Sequence, residues 1–353
     1  MKKWIIIVLG LMITGTAVAQ DTVASISIEY YTEAQTNFGK KFNWVNLLSI
    51  MGELPTEKIH KRWKNGNFSI DLISIYKISD GRIADDLMVF SNIDDDDNLI
   101  INPFLLGYTH RWKKVSLFGG IRNVNNDYFT TSYTSLFTNS SAGIFPTLSM
   151  NFPLPNYPLS AVCLHVEYQP TEKWLLKSSL YNGVAHDPRK NPLHSFIVKP
   201  REDGITSMSQ LSYTQNKFGN GIYSLGFVLH AFGRQYKTNY SFWGAIEQSV
   251  FDNHRKEIGF LIQGGVAPPA RNECSFYYAA GIYFAGLFTK QKKDQLGIYF
   301  NGAVFTDGKE NTMEITWQYQ IIRAIAIQPT FHYIWTNHET SFYGLFRVIF
   351  TVP

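Results

Sequence analysis

Four consecutive carboxylates, Asp94 to Asp97, form the densest group of hard oxygen ligands in the chain, a composition that suits calcium. The run lacks the glycine and the distal glutamate of an EF-hand loop, so a solvated acidic loop is the favoured reading. His186-Asp187 with Ser195 supplies the residue types of a hydrolytic trio, but no G-x-S-x-G elbow surrounds any serine and 186–192 reads as a loop. Cys163 and Cys274 stand outside any C-x-x-C spacing, and no H-E-x-x-H occurs, so no metal and no cofactor is expected. Two cysteines are too few for a disulfide scaffold, and two unpaired thiols are the preferred reading over a bridge. The remaining chemistry is the weaker kind, polar side chains that trade hydrogen bonds with water or a solute, set at every second position of apolar segments.

From Met313 to Ile321 the chain reads M-E-I-T-W-Q-Y-Q-I, with Met313, Ile315, Trp317, Tyr319 and Ile321 on one side and Glu314, Thr316, Gln318 and Gln320 on the other. A pleated strand with this pattern has one greasy and one wet face. Val162, Leu164, Val166 and Tyr168 likewise oppose Cys163, His165, Glu167 and Gln169. Ile325, Ile327, Phe331 and Tyr333 oppose Ala326, Gln328, Thr330 and His332, and Ile258, Phe260, Ile262 and Val266 oppose Glu257 and Gln263. Leu296, Ile298, Phe300 and Val304 form a further apolar row, as do Phe342, Phe346, Val348, Phe350 and Val352 opposite Arg347 and Thr351. Asn65-Gly66-Asn67, Asp80-Gly81, Asn182-Gly183, Gly219-Asn220-Gly221 and Asp307-Gly308 are expected to turn hairpins between such strands. Only Asn37 to Trp63 is less regular: its W-V-N-L-L-S-I-M fits a short helix or a strand.

Met1 to Ala19 opens with Lys2 and Lys3, continues through an apolar run and closes on Ala17-Val18-Ala19, matching a cleavable secretory signal over 1–19 with one domain over 20–353. No later run of about 18 apolar residues could span a bilayer as a helix. Insertion in a membrane would therefore require a closed barrel. The formal charge of +4 includes Lys2 and Lys3, which leaves no basic stripe for nucleic acid. Fifteen per cent aromatic and only 17% charged residues suit an outer-membrane barrel with aromatic girdles at both interfaces. The fold class expected is all-β, a transmembrane antiparallel β-barrel of about 16 strands.

Around Asn125 to Ala161 the chain reads N-N-D-Y-F, S-L-F-T-N-S-S-A-G-I-F-P-T and Y-P-L-S-A, then V-E-Y-Q-P-T-E-K-W to Tyr181-Asn182-Gly183. Farther on come G-G-V-A-P-P with Arg271-Asn272, F-Y-Y-A-A-G-I-Y-F-A-G-L, and the closing E-I-T-W-Q-Y-Q-I and I-Q-P-T-F-H-Y-I. Taken in order from Asn43 to Val352, these resemble the carbohydrate-selective porin family (OprB-like). The resemblance implies passive sugar diffusion across the outer membrane through a narrowed eyelet of charged and aromatic side chains. Two departures stand out. Gly119-Gly120-Ile121-Arg122-Asn123 carries one cation where relatives usually have two, and the aromatic assembly signal is displaced by three residues unless Phe350 fills it.

Inward candidates by parity are His165, Glu167, Glu257, Gln263, Glu314, Gln318, Gln320, Gln328, His332 and Arg347. The resemblance adds Arg122 and Asp127 at the eyelet segment. Arg122, Asp127, Glu167, Glu314 and Gln328 are expected to help define the sugar path, though most polar residues on any barrel wall are simply solvated or hold loops. Expected partners are mono- or oligosaccharide solutes and outer-membrane lipid, with a homo-oligomer left open. A general non-selective porin is the alternative. An outer-membrane enzyme such as a lipid hydrolase ranks lower, because parity offers no serine and histidine together on the lipid face.

Overall fold

The computed structural model describes residues 24–216, 219–289 and 292–352. The secretory signal expected over 1–19 lies outside the described residues. Sixteen strands run β1 Ser25–Thr36, β2 Phe42–Pro55, β3 Gly66–Lys77, β4 Leu99–Arg111, β5 Val115–Arg122, β6 Ala161–Thr171, β7 Trp174–Asn182 and β8 Ile205–Gln215. The second half continues β9 Gly221–Ala231, β10 Asn239–Asp252, β11 Glu257–Val266, β12 Cys274–Ala285, β13 Asp294–Phe305, β14 Gly308–Ile322, β15 Ile325–Thr336 and β16 Thr340–Val352. Each pairs antiparallel with its sequence neighbours, and β1 closes the barrel on β16 from Ile28↔Val352 to Thr36↔Gly344. Closure leaves no strand edge unpaired, which a bilayer requires.

The period-two pattern sorts side chains as read from the sequence. Leu164, Leu225, Ile262, Phe300, Ile315, Phe331 and Phe346 are exposed on the outer face, Leu225 at 72%. Residues one step along from six of these, His165, Gln263, Asn301, Glu314, His332 and Arg347, face inward and are buried. The segment left undecided between helix and strand, Trp44 to Met51, is part of β2, its Val45 and Leu47 facing the lumen. Aromatic residues gather toward both rims. Trp63, Phe68 and Tyr108 cluster at one, where the Trp63 indole donates to the Tyr108 hydroxyl at 2.9 Å, while Phe300, Tyr333, Trp335 and Phe342 stack toward the other. Such amphipathic rings suit the two lipid interfaces.

The long connections 78–98, 123–160 and 183–204 all leave the same rim. The opposite rim has shorter turns together with the start of β1 and the end of β16. Asp80-Gly81 and Asn182-Gly183 therefore begin long loops rather than tight hairpins, whereas Gly219-Asn220-Gly221 and Asp307-Gly308 do join adjacent strands. Cys163 and Cys274 are free and buried on different strands. Two loops fold back into the barrel. Residues 78–98 pack Ile93 with Val45, Leu47, Ile73, Ile75 and Leu99, and residues 123–160 supply much of the largest apolar cluster.

Candidate functional site

A loop without regular secondary structure brings backbone N–H and C=O groups that must find partners when buried. Short 3-10 turns satisfy some: Asn123 caps Val124–Asn126 by accepting from the Asn125 amide, and Asn139 caps Ser140–Ala142 through the Ser141 amide. The inner wall satisfies others. Glu314 accepts from the Thr138 amide at 2.7 Å, the Thr138 hydroxyl at 3.1 Å and the Asn139 amide at 3.0 Å. Gln328 donates to the Leu136 carbonyl at 2.6 Å, Gln263 to the Ala142 carbonyl at 3.2 Å and Tyr277 to the Ser141 carbonyl at 3.0 Å.

Apolar contacts complete the docking. Tyr133 stacks on Tyr283 at 4.3 Å, Phe137 on Tyr299 at 4.7 Å and Phe145 on Tyr277 at 4.9 Å. These rings need recesses in the wall, and glycines provide them. A Cβ at Gly297 would stand 2.5 Å from Phe137, and one at Gly259 would collide with the Tyr133 ring. The loop 78–98 is held in the same way: Glu310 accepts from the Leu87 and Met88 amides at 3.0 and 2.9 Å. Arg347 pairs with Glu33 at 2.7 Å and donates to Asn92 at 2.8 Å.

Beside the docked loop, β5, β6 and β7 present a compact ionic network. Arg122 Nη2 lies 2.5 Å from Asp127 Oδ1, and His165 Nε2 sits 3.4 Å from that oxygen and 3.5 Å from Glu167 Oε1. Lys177 Nζ is 3.7 Å from Glu167 Oε1 and donates to the Asp127 carbonyl at 2.8 Å. The Arg122 guanidinium also lies over the Phe118 ring, 4.7 Å from its centroid, an arrangement that favours a cation. Ser179 bridges His165 Nδ1 and the Tyr128 hydroxyl, which fixes the imidazole. Burial pushes the Asp127 carboxyl up from its ordinary value, against the pull of Arg122 and His165.

Three of the five expected path residues, Arg122, Asp127 and Glu167, thus meet in one cluster. Arg122 and Glu167 keep side-chain exposures of 18% and 36%. Glu314 and Gln328 point inward but lie beneath the loop, 0% and 2% exposed, so their contacts are with the loop backbone. Arg347 and His332 are buried too, His332 Nε2 at 2.9 Å from the Thr138 hydroxyl. Lys177 was not singled out from the sequence. Its signal is the alternation in W-L-L-K-S-S-L-Y, where exposed Leu176 and Leu180 frame inward Lys177 and Ser179.

Ligand atoms of Asp127, His165 and Glu167 lie within 4.8 Å of one another, close enough to hold a metal ion by distance alone. Arg122 and Lys177 already balance both carboxylates, however, so the donor set is a salt-bridge network and fits a metal poorly. The carboxylate run is also divided. Asp94 pairs with Lys77 at 2.6 Å, Asp95 with Arg189 and Asp96 with Arg82 at 3.0 Å, so the run that could have offered calcium ligands is engaged in ion pairs. The hydrolytic trio is not assembled. His186 pairs with Asp203 at 2.8 Å, Asp187 with Arg189 at 3.1 Å, and Ser195 donates to Asn102 at 3.0 Å.

Comparison with known proteins agrees with this geometry. The profile of the carbohydrate-selective porin, OprB family, matches residues 104–231 and 219–341, more than half of the chain. No curated protein matches in sequence. Among solved structures, the high-pH structure of Pseudomonas putida OprB superposes with a TM-score of 0.79 at 12% identity, covering 93% of this chain and 94% of that one. A trimer form of the Vibrio cholerae outer membrane protein OmpT gives 0.59 at 9% identity, covering 94% and 100%. The outer membrane channel DcaP of Acinetobacter baumannii gives 0.58 at 8%, covering 96% and 100%. At these identities the structural likeness establishes the fold.

Proposed function

The chain belongs to the carbohydrate-selective porin, OprB family, and from that premise we propose that Arg122, Asp127 and Glu167, with His165 and Lys177, line its sugar path. It is an outer-membrane barrel for passive diffusion of sugars, a channel rather than an enzyme by family and fold. Glu314 and Gln328 define the path from beneath by holding the loop 123–160 against the far wall. The observation that carries this reading is the partial exposure of Arg122 and Glu167 beside a loop whose contacts with Glu314, Gln328, Gln263 and Tyr277 are buried. A sugar needs donors and acceptors that replace water without binding so tightly that exit stalls. A charge-balanced cluster supplies both.

In orientation, the rim with the long loops faces the exterior and the short-turn rim the periplasm, as in other barrels of this type. Removal of 1–19 on export, contact of the outer apolar band with lipid, and assembly into a homo-oligomer belong to the same proposal. The trimer form recorded for the OmpT relative supports the last point. N-terminal sequencing of the purified protein and its mass in mild detergent test the first and last.

Liposome swelling tests the path. Reconstituted channel should admit neutral sugars at rates that fall with size. Arg122→Ala and Glu167→Gln should shift the cation-to-anion preference in opposite directions and alter sugar flux. Unchanged flux and selectivity in both variants would remove these residues from the path.

A further inference from the structure

A cavity of ≈ 330 Å³ lies where the two inserted loops meet, apart from the Arg122 network. That is at the small end of the range for small-molecule sites. Phe104 of β4 and Tyr157 of the loop 123–160 form an apolar corner, their rings edge to face at 6.1 Å and 72°. Around this corner stand Asp94, Asn125 and Asn156. Exposed Asp96 and Thr130 stand at the edge that opens to solvent.

Two buried acceptors there lack hydrogen bonds. Asp94 Oδ2 makes no hydrogen bond at normal distance although Asp94 is 6% exposed and the Gln35 side chain is near this carboxylate, its other oxygen being taken by Lys77 and the Asp95 amide. Asn125 Oδ1 is also unpaired, while its amide nitrogen is fixed on the Gly143 carbonyl at 2.7 Å. Buried polar atoms without partners are costly and point to a ligand or water that satisfies them.

Charge narrows the ligand. Asp94, Asp95 and Asp96 are each paired with a cation, Lys77, Arg189 (shared with Asp187) and Arg82 respectively, so the charges there are largely compensated and the cavity favours neither a free cation nor an anion. A flat apolar corner with convergent, charge-compensated acceptors suits a neutral polyol ring whose C–H face meets aromatic carbon while its hydroxyls donate. Position adds a reason. The turn Val124–Asn126 carries Asn125 into the cavity, and Asp127 comes immediately after it in the ionic network.

We propose that this cavity is a docking subsite for one neutral pyranose ring, a staging pocket that feeds the Arg122 network. The proposal rests on the carbohydrate-channel reading and can be separated from it by experiment. Methyl β-glucopyranoside is the probe, applied to the full chain in detergent for saturation-transfer NMR and to single channels in planar bilayers for sugar-dependent block of KCl current.

Saturable binding and block are expected. Phe104→Leu, which removes one ring face, should raise the half-saturating concentration about fivefold and leave KCl conductance unchanged. Asn156→Ala, whose side chain stands in the cavity, should also raise it and guards against a packing defect from the first variant. Half-saturation unaltered in both variants would overturn the subsite. So would sugar flux in swelling assays with no saturation and no transfer signal. Binding weakened by Phe104→Leu in a channel that passes no sugar would keep the subsite and sink the transport reading.

Discussion

Replacing Glu314 with alanine should release the middle of the lumen loop. In the native protein one fully buried carboxylate accepts three hydrogen bonds from Thr138 and Asn139, two of them from backbone amides. Hydrogen bonds to a charged group contribute roughly 1.5–3 kcal/mol, and each buried amide left without a partner costs roughly 1–3 kcal/mol. These are two views of one loss rather than a sum, so about 4 kcal/mol is expected. At roughly 1.4 kcal/mol per decade this shifts the local docking equilibrium by about a thousandfold. Glu314→Gln should recover part of the loss, because its carbonyl can keep both bonds from Thr138 while its NH₂ faces the Asn139 amide donor to donor.

Limited proteolysis of protein in vesicles reads the release as new cleavage within 136–142. Single-channel recording reads it as current noise absent from the parent. The aromatic anchors Tyr133 and Phe145 flank the segment and should keep the rest of the loop seated, so the barrel itself should stay folded. A Glu314→Ala channel with parental conductance, noise and protease resistance would refute the claim that this carboxylate pins the loop.

Other contacts give further expected outcomes. Gly297→Ala places a Cβ 2.5 Å from Phe137 and should loosen the loop by about 1–3 kcal/mol, read as new protease cleavage within 136–142. Burial, with repulsion from Glu310, lifts the Asp86 carboxyl to about 7. A carboxyl whose pKa rises on docking favours the docked loop in full below about pH 4, and the contribution is lost as pH climbs to about 7. Protease sensitivity of 78–98 should therefore increase over that window, and Asp86→Asn should flatten the profile. Cys163 and Cys274, both buried and unpaired, should resist maleimide in the folded barrel and react once it is denatured; modification before unfolding would contradict their placement.

The barrel was legible because its signal is repeated. Each strand of β6, β11 and β13 to β16 announces its faces by alternation, and a one-residue error in any of them would put charged groups such as Glu314 or Arg347 into lipid. The long loops were harder. Asn182-Gly183 and Asp80-Gly81 have hairpin composition, yet each leads into a long loop instead of a strand, and local turn chemistry carries no information about the length of the connection. Trp44 to Met51 was ambiguous because both its faces carry apolar residues: Val45 and Leu47 are buried under the loop 78–98 while Trp44 and Ile50 face outward. A wall strand covered on the inside reads as a continuous apolar run.

That covering also explains why the proposed path residues could be only half read. Parity tells which side of the wall a carboxylate occupies but not whether water or a loop backbone meets it, since both offer donors. Glu167 and Glu314 have the same inward phase, yet one is partly exposed and paired with His165 and Lys177 while the other is sealed by Thr138 and Asn139. The distinction lies in the loop, whose rings reach the wall only where glycine leaves space. Gly259, Gly265 and Gly297 stand on the inner faces of β11 and β13, opposite Tyr133, Thr147 and Phe137. Glycine at an inward position of an otherwise bulky wall is therefore a mark of loop docking, and carboxylates or amides near such glycines are better read as pins than as solute contacts.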